Sequence, residues 1–176
     1  MAFAGLSSQH ANRARQKDFE RRVLRYAGPL LQAGLRFTGN LPLAEDLVER
    51  TMLRAWYDFD HLERDVNCRV WLFRAMLDLW SQQQPISGGG PRPMNGGSAA
   101  SGSLPSKGND EVRNAVSHLR DDLRIVLLLF SVEGFSCPEI SEILAIPIDT
   151  VISNLAFARG LVKSDIGPQP VLPAAR

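Results

Sequence analysis

The sequence predicts an all-α protein of two small helical modules joined by a flexible linker, and three observations carry that prediction. Apolar residues recur three and four apart along most of the chain while nothing alternates with a period of two, so helices are expected and strands are not. Between Pro85 and Gly108, seven Gly, four Pro and five Ser fall among 24 residues, with almost nothing apolar to bury. Such a stretch stays a disordered tether. At 176 residues the chain has the length of one ordinary domain or two small ones, and a tether in its middle decides for two. The expected boundaries are a disordered N-terminus over 1–16, a first module over 17–84, the linker over 85–108, a second module over 109–166 and a disordered tail over 167–176. As a flexible coil the linker spans about 25 to 30 Å on average and at most ~80 Å, so it fixes no orientation.

In the first module, Phe19, Val23, Tyr26, Leu30, Ala33 and Phe37 step along one helical face and end at Gly39-Asn40, a natural helix stop. Pro29 should kink that helix or divide it. From Ala44 to Phe59 a second helix lines Leu47, Val48, Met52, Ala55, Trp56 and Phe59 on one side, against Glu45, Asp46, Glu49, Arg50 and Arg54 on the other. That outer face carries both signs of charge. From Arg69 to Trp80 apolar residues lie nearly all round, with Val70, Phe73, Leu77 and Trp80 on one stripe and Trp71, Leu72 and Met76 beside it. Such a helix is either deeply buried or offers aromatics to a partner.

In the second module, Val112, Val116 and Leu119 mark a short helix, and Asp121-Asp122 suit the positive N-terminus of the next, which carries Leu123 to Val132 and stops at Gly134. The run from Cys137 to Ala156 then reads as two helices joined by a tight turn. Ser136 can cap the first of them while Glu139 reaches back to the cap, with Pro138 in the first turn, where its missing donor costs nothing. Ile140, Ile143 and Leu144 share a face, Ile146-Pro147 breaks the helix, and Val151, Leu155 and Ala158 restart an apolar stripe. This is the pattern of a DNA-reading helix-turn-helix, although any helical hairpin gives the same periodicity. Thr150, Ser153 and Asn154 stay on the outer face. Asn can grip adenine by two hydrogen bonds, and Ser or Thr can bond bases or phosphates.

Several function classes are disfavoured. No run of some 18 apolar residues occurs and the N-terminus lacks a signal peptide's apolar core, so the chain reads as soluble and intracellular. Cys68 and Cys137 lie in different modules and read as core thiols; His10, His61 and His118 show no ligand spacing. No glycine-rich phosphate loop sits between a strand and a helix. The expectation is a non-enzyme without metal, cofactor or small-molecule substrate.

The order of motifs resembles a known family. Ala44 to Trp56, then Asn67 to Arg74, is similar to region 2 of the sigma-70 family of sigma factors. Val132 to Ser136, through Ile146-Pro147, to Arg159 is similar to region 4, and two such modules with only a linker between them resemble the extracytoplasmic-function (ECF) group. The resemblance covers about 130 of the 176 residues. It implies a bacterial, cytoplasmic factor that binds core RNA polymerase at the β′ clamp and β flap, opens the promoter −10 element, reads the −35 element and initiates transcription. It also implies an anti-sigma partner, which can be anchored in the inner membrane. By position, Asp46, Glu49, Arg50, Leu53, Arg54 and Trp56 fall to core polymerase, Asn67, Arg69, Trp71 and Arg74 to −10 DNA, and Thr150, Ser153, Asn154 and Arg159 to −35 DNA. Exposed aromatic rings and Arg planes stack on unpaired bases, and a mixed-charge helix makes an orienting protein interface. A solvated face of intrahelical ion pairs, and a core Trp71, are the plainer alternatives.

The sequence departs from the family at both DNA-facing segments. Where region 4 typically reads G-T-V-K-S-R-L-x-R-A-R, this chain has Asp149-Thr150-Val151-Ile152-Ser153-Asn154-Leu155-Ala156-Phe157-Ala158-Arg159, keeping only the last base. Residues 109–166 hold five bases and nine acids, a net charge of −4, so phosphate attraction should be weak. The family's turn glycine is replaced by Ala145, at a penalty of about 1 kcal/mol if that site needs positive φ. After Arg74 a basic stretch gives way to Leu77-Asp78-Leu79-Trp80-Ser81-Gln82-Gln83-Gln84. Two readings follow: a working sigma factor held at the promoter by polymerase, or a sigma-like decoy or adaptor that binds an anti-sigma factor or polymerase without reading DNA. Retention of Thr150, Ser153, Asn154 and Arg159 favours the first.

Overall fold

A computed structural model of the chain describes residues 4–62, 66–83 and 114–166, and every regular element among them is helical. They divide into two compact units. The first holds α1 (Ala4–Arg22), a 3-10 turn (Leu24–Tyr26), α2 (Ala27–Thr38), α3 (Leu41–Asp58), a second 3-10 turn (Phe59–His61) and α4 (Cys68–Gln83). After one helical turn at 114–117, the second holds α5 (Asp121–Ser131), the start of α6 (Cys137–Leu144) and α7 (Ile148–Ile166). The expected linker over 85–108 and the tail over 167–176 lie outside the described residues.

The first apolar stripe is divided ahead of Pro29. The 3-10 turn takes up the break, and Pro29 becomes the third residue of α2, where a helix has no internal use for its missing N–H. Gly39 then closes α2 in the left-handed region at φ 65°, donating its N–H to Leu35 O at 2.8 Å. The side chain of Asn40 opens α3 by accepting the Leu43 N–H at 3.1 Å. Leu30 and Ala33 from α2, Leu47 and Ala55 from α3, and Val70, Leu72, Phe73 and Met76 from α4 are buried. Thr51 shares this interior without penalty, because its hydroxyl donates to Leu47 O at 2.7 Å. Phe37 stacks on Trp80 with ring centroids 5.9 Å apart. The apolar residues all round α4 are therefore core, apart from the narrow strip considered below.

The N-terminus corrects an expectation: residues 4–16 are not disordered but belong to α1. Its anchor is polar, which is why no apolar stripe announces it. Arg15 donates to Asp60 Oδ1 at 2.8 Å and to Trp56 O at 2.9 Å, satisfying a carbonyl in the last turn of α3, while its guanidinium lies 4.2 Å from the Trp56 ring centre. Phe19 completes the contact edge-on to Trp56 and Phe59, at 5.0 and 5.2 Å.

In the second unit Leu123, Val126 and Leu129 of α5 and Val151, Leu155 and Ala158 of α7 are buried, with Phe135 from the connecting loop. The expected capping box is formed. Ser136 and Glu139 exchange contacts, the Glu139 carboxylate accepting from Ser136 N at 2.9 Å and Oγ at 2.7 Å, and α6 starts there. Its turn is held by Ser141, whose hydroxyl donates to Ile146 O at 2.6 Å. Between them Ala145 sits at φ 53°, the only non-glycine residue with positive φ among the described residues. The side chain strains this conformation, so Ala145→Gly should stabilise the turn between α6 and α7 by about 1 kcal/mol. Denaturant unfolding followed by amide exchange in α6 and α7 measures it; an unchanged or lower stability would show the turn to be relaxed.

Of the two cysteines, Cys68 is buried as a core thiol and Cys137 is only half-buried. No single helix among the described residues is long and apolar enough to cross a membrane.

Candidate nucleic-acid and partner interfaces

The outer face of α3 carries most of the residues expected to meet polymerase. Asp46, Glu49 and Leu53 are exposed and fall three and four apart, so they share that face; Arg50 and Arg54 flank it half-exposed. Its charges are partly neutralised in place. Arg50 lies 3.7 Å from Asp46, which also accepts from Gln83 at 3.3 Å, and Arg54 lies 3.7 Å from Asp58 and 4.0 Å from Asp78. Pairs this exposed contribute at most about 1 kcal/mol each, so a partner carboxylate or guanidinium can replace them. Trp56 stands apart, half-buried under Arg15 and Phe19. One residue the sequence reading passed over is Tyr57, one turn beyond Leu53 and 75% exposed. Its spacing from Glu49 and Leu53 was the available signal, but the apolar stripe drew attention to the other side.

On α4, Asn67, Trp71 and Arg74 line the narrow strip that faces out, with Asp78 one turn further. Asn67 also starts the helix: its side chain accepts the N–H groups of Arg69 and Val70 at 3.2 and 3.4 Å. Trp71 is half-buried, which leaves part of its ring available for stacking. Arg69 lies off this strip, with its guanidinium 5.9 Å from the Phe73 ring centre.

α6 and α7 are bent 108° to each other across the Ala145 turn, within the range of helix-turn-helix pairs. Thr150 and Ser153 are exposed on α7 and Asn154 is half-buried beside them. Arg159 does not join these three. It projects from the other side of α7, its guanidinium 4.7 Å from the Phe130 ring centre, a contact only tertiary structure reveals. The position among Thr150, Ser153 and Asn154 is taken instead by Phe157, 61% exposed, while Ile152 is 51% exposed. Two other arginines of this unit are paired within it. Arg120 bonds Asp122 at 2.5 Å and holds that carboxyl below the usual carboxylate range; Arg124, itself buried, pairs with Asp121 at 2.5 Å. Burial pushes Asp121 upward against the pull of Arg124.

Comparison with known proteins places this geometry. Residues 109–161, spanning α5 and both helices of the pair, match the family model for sigma-70 region 4. Over 162 residues the chain is 26% identical to the ECF RNA polymerase sigma factor EcfG of Rhodopseudomonas palustris, covering 84% of this chain and 90% of that one. With SigW, an ECF RNA polymerase sigma factor of Bacillus subtilis, it shares 24% over 158 residues, or 80% and 84% of the two chains. The second unit matches sigma-70 region 4, and the chain is similar to ECF sigma factors over most of its length. The fold agrees: the sigma factor RpoE of Bartonella quintana, solved in complex with the anti-sigma factor NepR, superposes with a TM-score of 0.66 at 24% identity, covering 85% of this chain and 97% of that one. Within the sigma-70 frame the outward surface of the region 4 recognition helix is unusual, because Ile152 and Phe157 stand where the family pattern has bases.

Proposed function

We propose that this chain is an ECF-type sigma factor that binds core RNA polymerase at its β′ clamp and β flap and directs promoter-specific transcription initiation. The observation that carries the proposal is the 108° helix pair inside the segment that matches sigma-70 region 4. Core polymerase docks on the outer face of α3 through Asp46, Glu49, Arg50, Leu53 and Arg54, with Tyr57 added. Asn67, Trp71 and Arg74 meet the opened −10 strand, and Thr150, Ser153 and Asn154 the −35 duplex. An anti-sigma factor restrains the protein, as NepR accompanies the RpoE of Bartonella quintana. On this reading the chain works in the cytoplasm without catalytic chemistry of its own, held at the inner membrane where its anti-sigma factor is anchored there.

A second reading, a sigma-like decoy that binds polymerase or an anti-sigma factor without reading DNA, is favoured by exposed Ile152 and Phe157. The polymerase contact is tested on the full chain. Leu53→Asp together with Tyr57→Ala, both at exposed positions, should weaken capture of core polymerase at least roughly tenfold, as loss of central contacts does. Undiminished capture would place the polymerase contact elsewhere.

A further inference from the structure

The solvent side of α1 carries a stripe of bases that the proposed polymerase and promoter contacts leave unused. Residues 13–25 hold six bases and two acids, a net charge of +4, whereas the whole chain stands at +1. Two of these bases turn inward. Arg15 reaches Trp56 and Asp60, and Arg22 lies 5.4 Å from the Phe59 ring centre and donates to Cys68 Sγ at 3.6 Å. Arg13, Lys17 and Arg21 turn outward. Spaced four apart and all exposed, they share the face away from buried Phe19 and Val23, about 6 Å from one to the next along the axis. Arg21 pairs with Asp18 at 2.5 Å but is itself 78% exposed, so a phosphate can take that carboxylate's place. Glu20 stands at the edge of the stripe, held by Gln16 at 3.1 Å.

A protein interface centres on apolar side chains, and a helix lying on a membrane sinks an apolar face into it. Neither fits here. From Arg13 to Arg21 the outward face has no large apolar side chain, and the apolar residues at this end of the chain, Phe19 and Val23, are already buried. A sugar–phosphate backbone asks for charge alone. The Arg22–Cys68 contact also brings the end of α1 to the start of α4, next to Asn67 and one turn from Trp71, two of the residues proposed to meet the opened −10 strand. The second unit, at −4 over residues 109–166, offers phosphates little attraction. We propose that Arg13, Lys17 and Arg21 grip the phosphate backbone of duplex DNA, whatever its sequence, so that the first unit supplies the electrostatic affinity the second lacks. This rests on the reading of the chain as a promoter-binding factor. Arg15 and Phe19 fix α1 to Trp56 beforehand, so the three bases are presented on a helix that needs no ordering by DNA.

Fluorescence anisotropy of a labelled duplex of scrambled sequence, titrated with the full chain across a salt series, tests this. Wild type should bind with a clear salt dependence. Arg13→Gln, Lys17→Gln and Arg21→Gln together should lower affinity at least roughly tenfold at low salt and flatten the log–log slope by about 0.9 for each phosphate released, up to about 2.7 for three. A second variant exchanges charge for charge, Arg13→Lys with Lys17→Arg and Arg21→Lys, and should keep most of both. All three positions are exposed, and unchanged circular dichroism and tryptophan emission show that α1 stays on Trp56. A wild type that fails to bind the duplex at low salt overturns the proposal, and so does a neutral variant with wild-type affinity and slope. A loss that the charge-conserving variant shares makes the effect one of shape, not charge, and overturns it too. So does a neutral variant that keeps the duplex but is released from phosphatidylglycerol vesicles that hold the wild type, which assigns the stripe to a membrane. Run-off transcription with the same proteins keeps the two readings apart. A wild type that initiates while its neutral variant binds duplex undiminished loses the stripe alone, whereas charge-dependent duplex binding without any transcript upholds the stripe and loses the sigma-factor reading.

Discussion

Phe73→Ala should unfold or nearly unfold the first unit. Phe73 is wholly buried in α4, and truncating such a ring typically destabilises by about 3 to 5 kcal/mol through lost burial and the cavity left behind. A unit of this size is stable by only about 4 to 12 kcal/mol in total, so one substitution removes a large share. The effect can be read without interference from the second unit, because the chain's three tryptophans, Trp56, Trp71 and Trp80, all lie in the first. Tryptophan fluorescence against denaturant should show the midpoint collapse, and capture of core polymerase should fall with it, since α3 packs on α4. A loss under about 1 kcal/mol would mean that α4 is not the centre of this core.

Restoring charge to the recognition helix should strengthen duplex binding. Asp149→Gly removes an acid near the helix start and Ile152→Lys returns a base at a position 51% exposed. Each phosphate newly neutralised steepens the salt dependence by about 0.9 in the log–log slope, and the pair of changes should raise affinity roughly tenfold at low salt. Because phosphate contacts carry no sequence information, binding to a scrambled duplex should gain about as much as binding to the −35 sequence, and discrimination should relax. A salt titration of wild type and variant on both duplexes, at protein concentrations far below micromolar, makes the comparison. Equal affinities and equal slopes in all four combinations would show that this side of α7 does not face DNA.

The helix-turn-helix was legible because its signals are local: Ser136 and Glu139 are three residues apart, Ile146-Pro147 announces the break, and the capping box forms as spaced. The doubt raised by Ala145 was legible for the same reason, and its φ of 53° bears it out. What escaped were contacts that join distant parts of the chain. Arg15 reaches Trp56 and Asp60 across more than forty positions, so α1 is tied down by a cation that reads in sequence as solvated. Arg159 was counted with the base readers, yet it lies over Phe130, and no periodicity within α7 could have told that. Tyr57 was hidden by its neighbour Trp56: adjacent helical residues point about 100° apart, and the more apolar of the two drew the assignment.

The central claim is that this chain makes core polymerase start at a promoter. Run-off transcription with bacterial core RNA polymerase, on a template carrying the promoter upstream of the chain's own operon, tests it most directly. A transcript of defined length that appears only when the full chain is added is the expected result; capture of core polymerase with no transcript from that promoter would contradict it and make the chain a decoy.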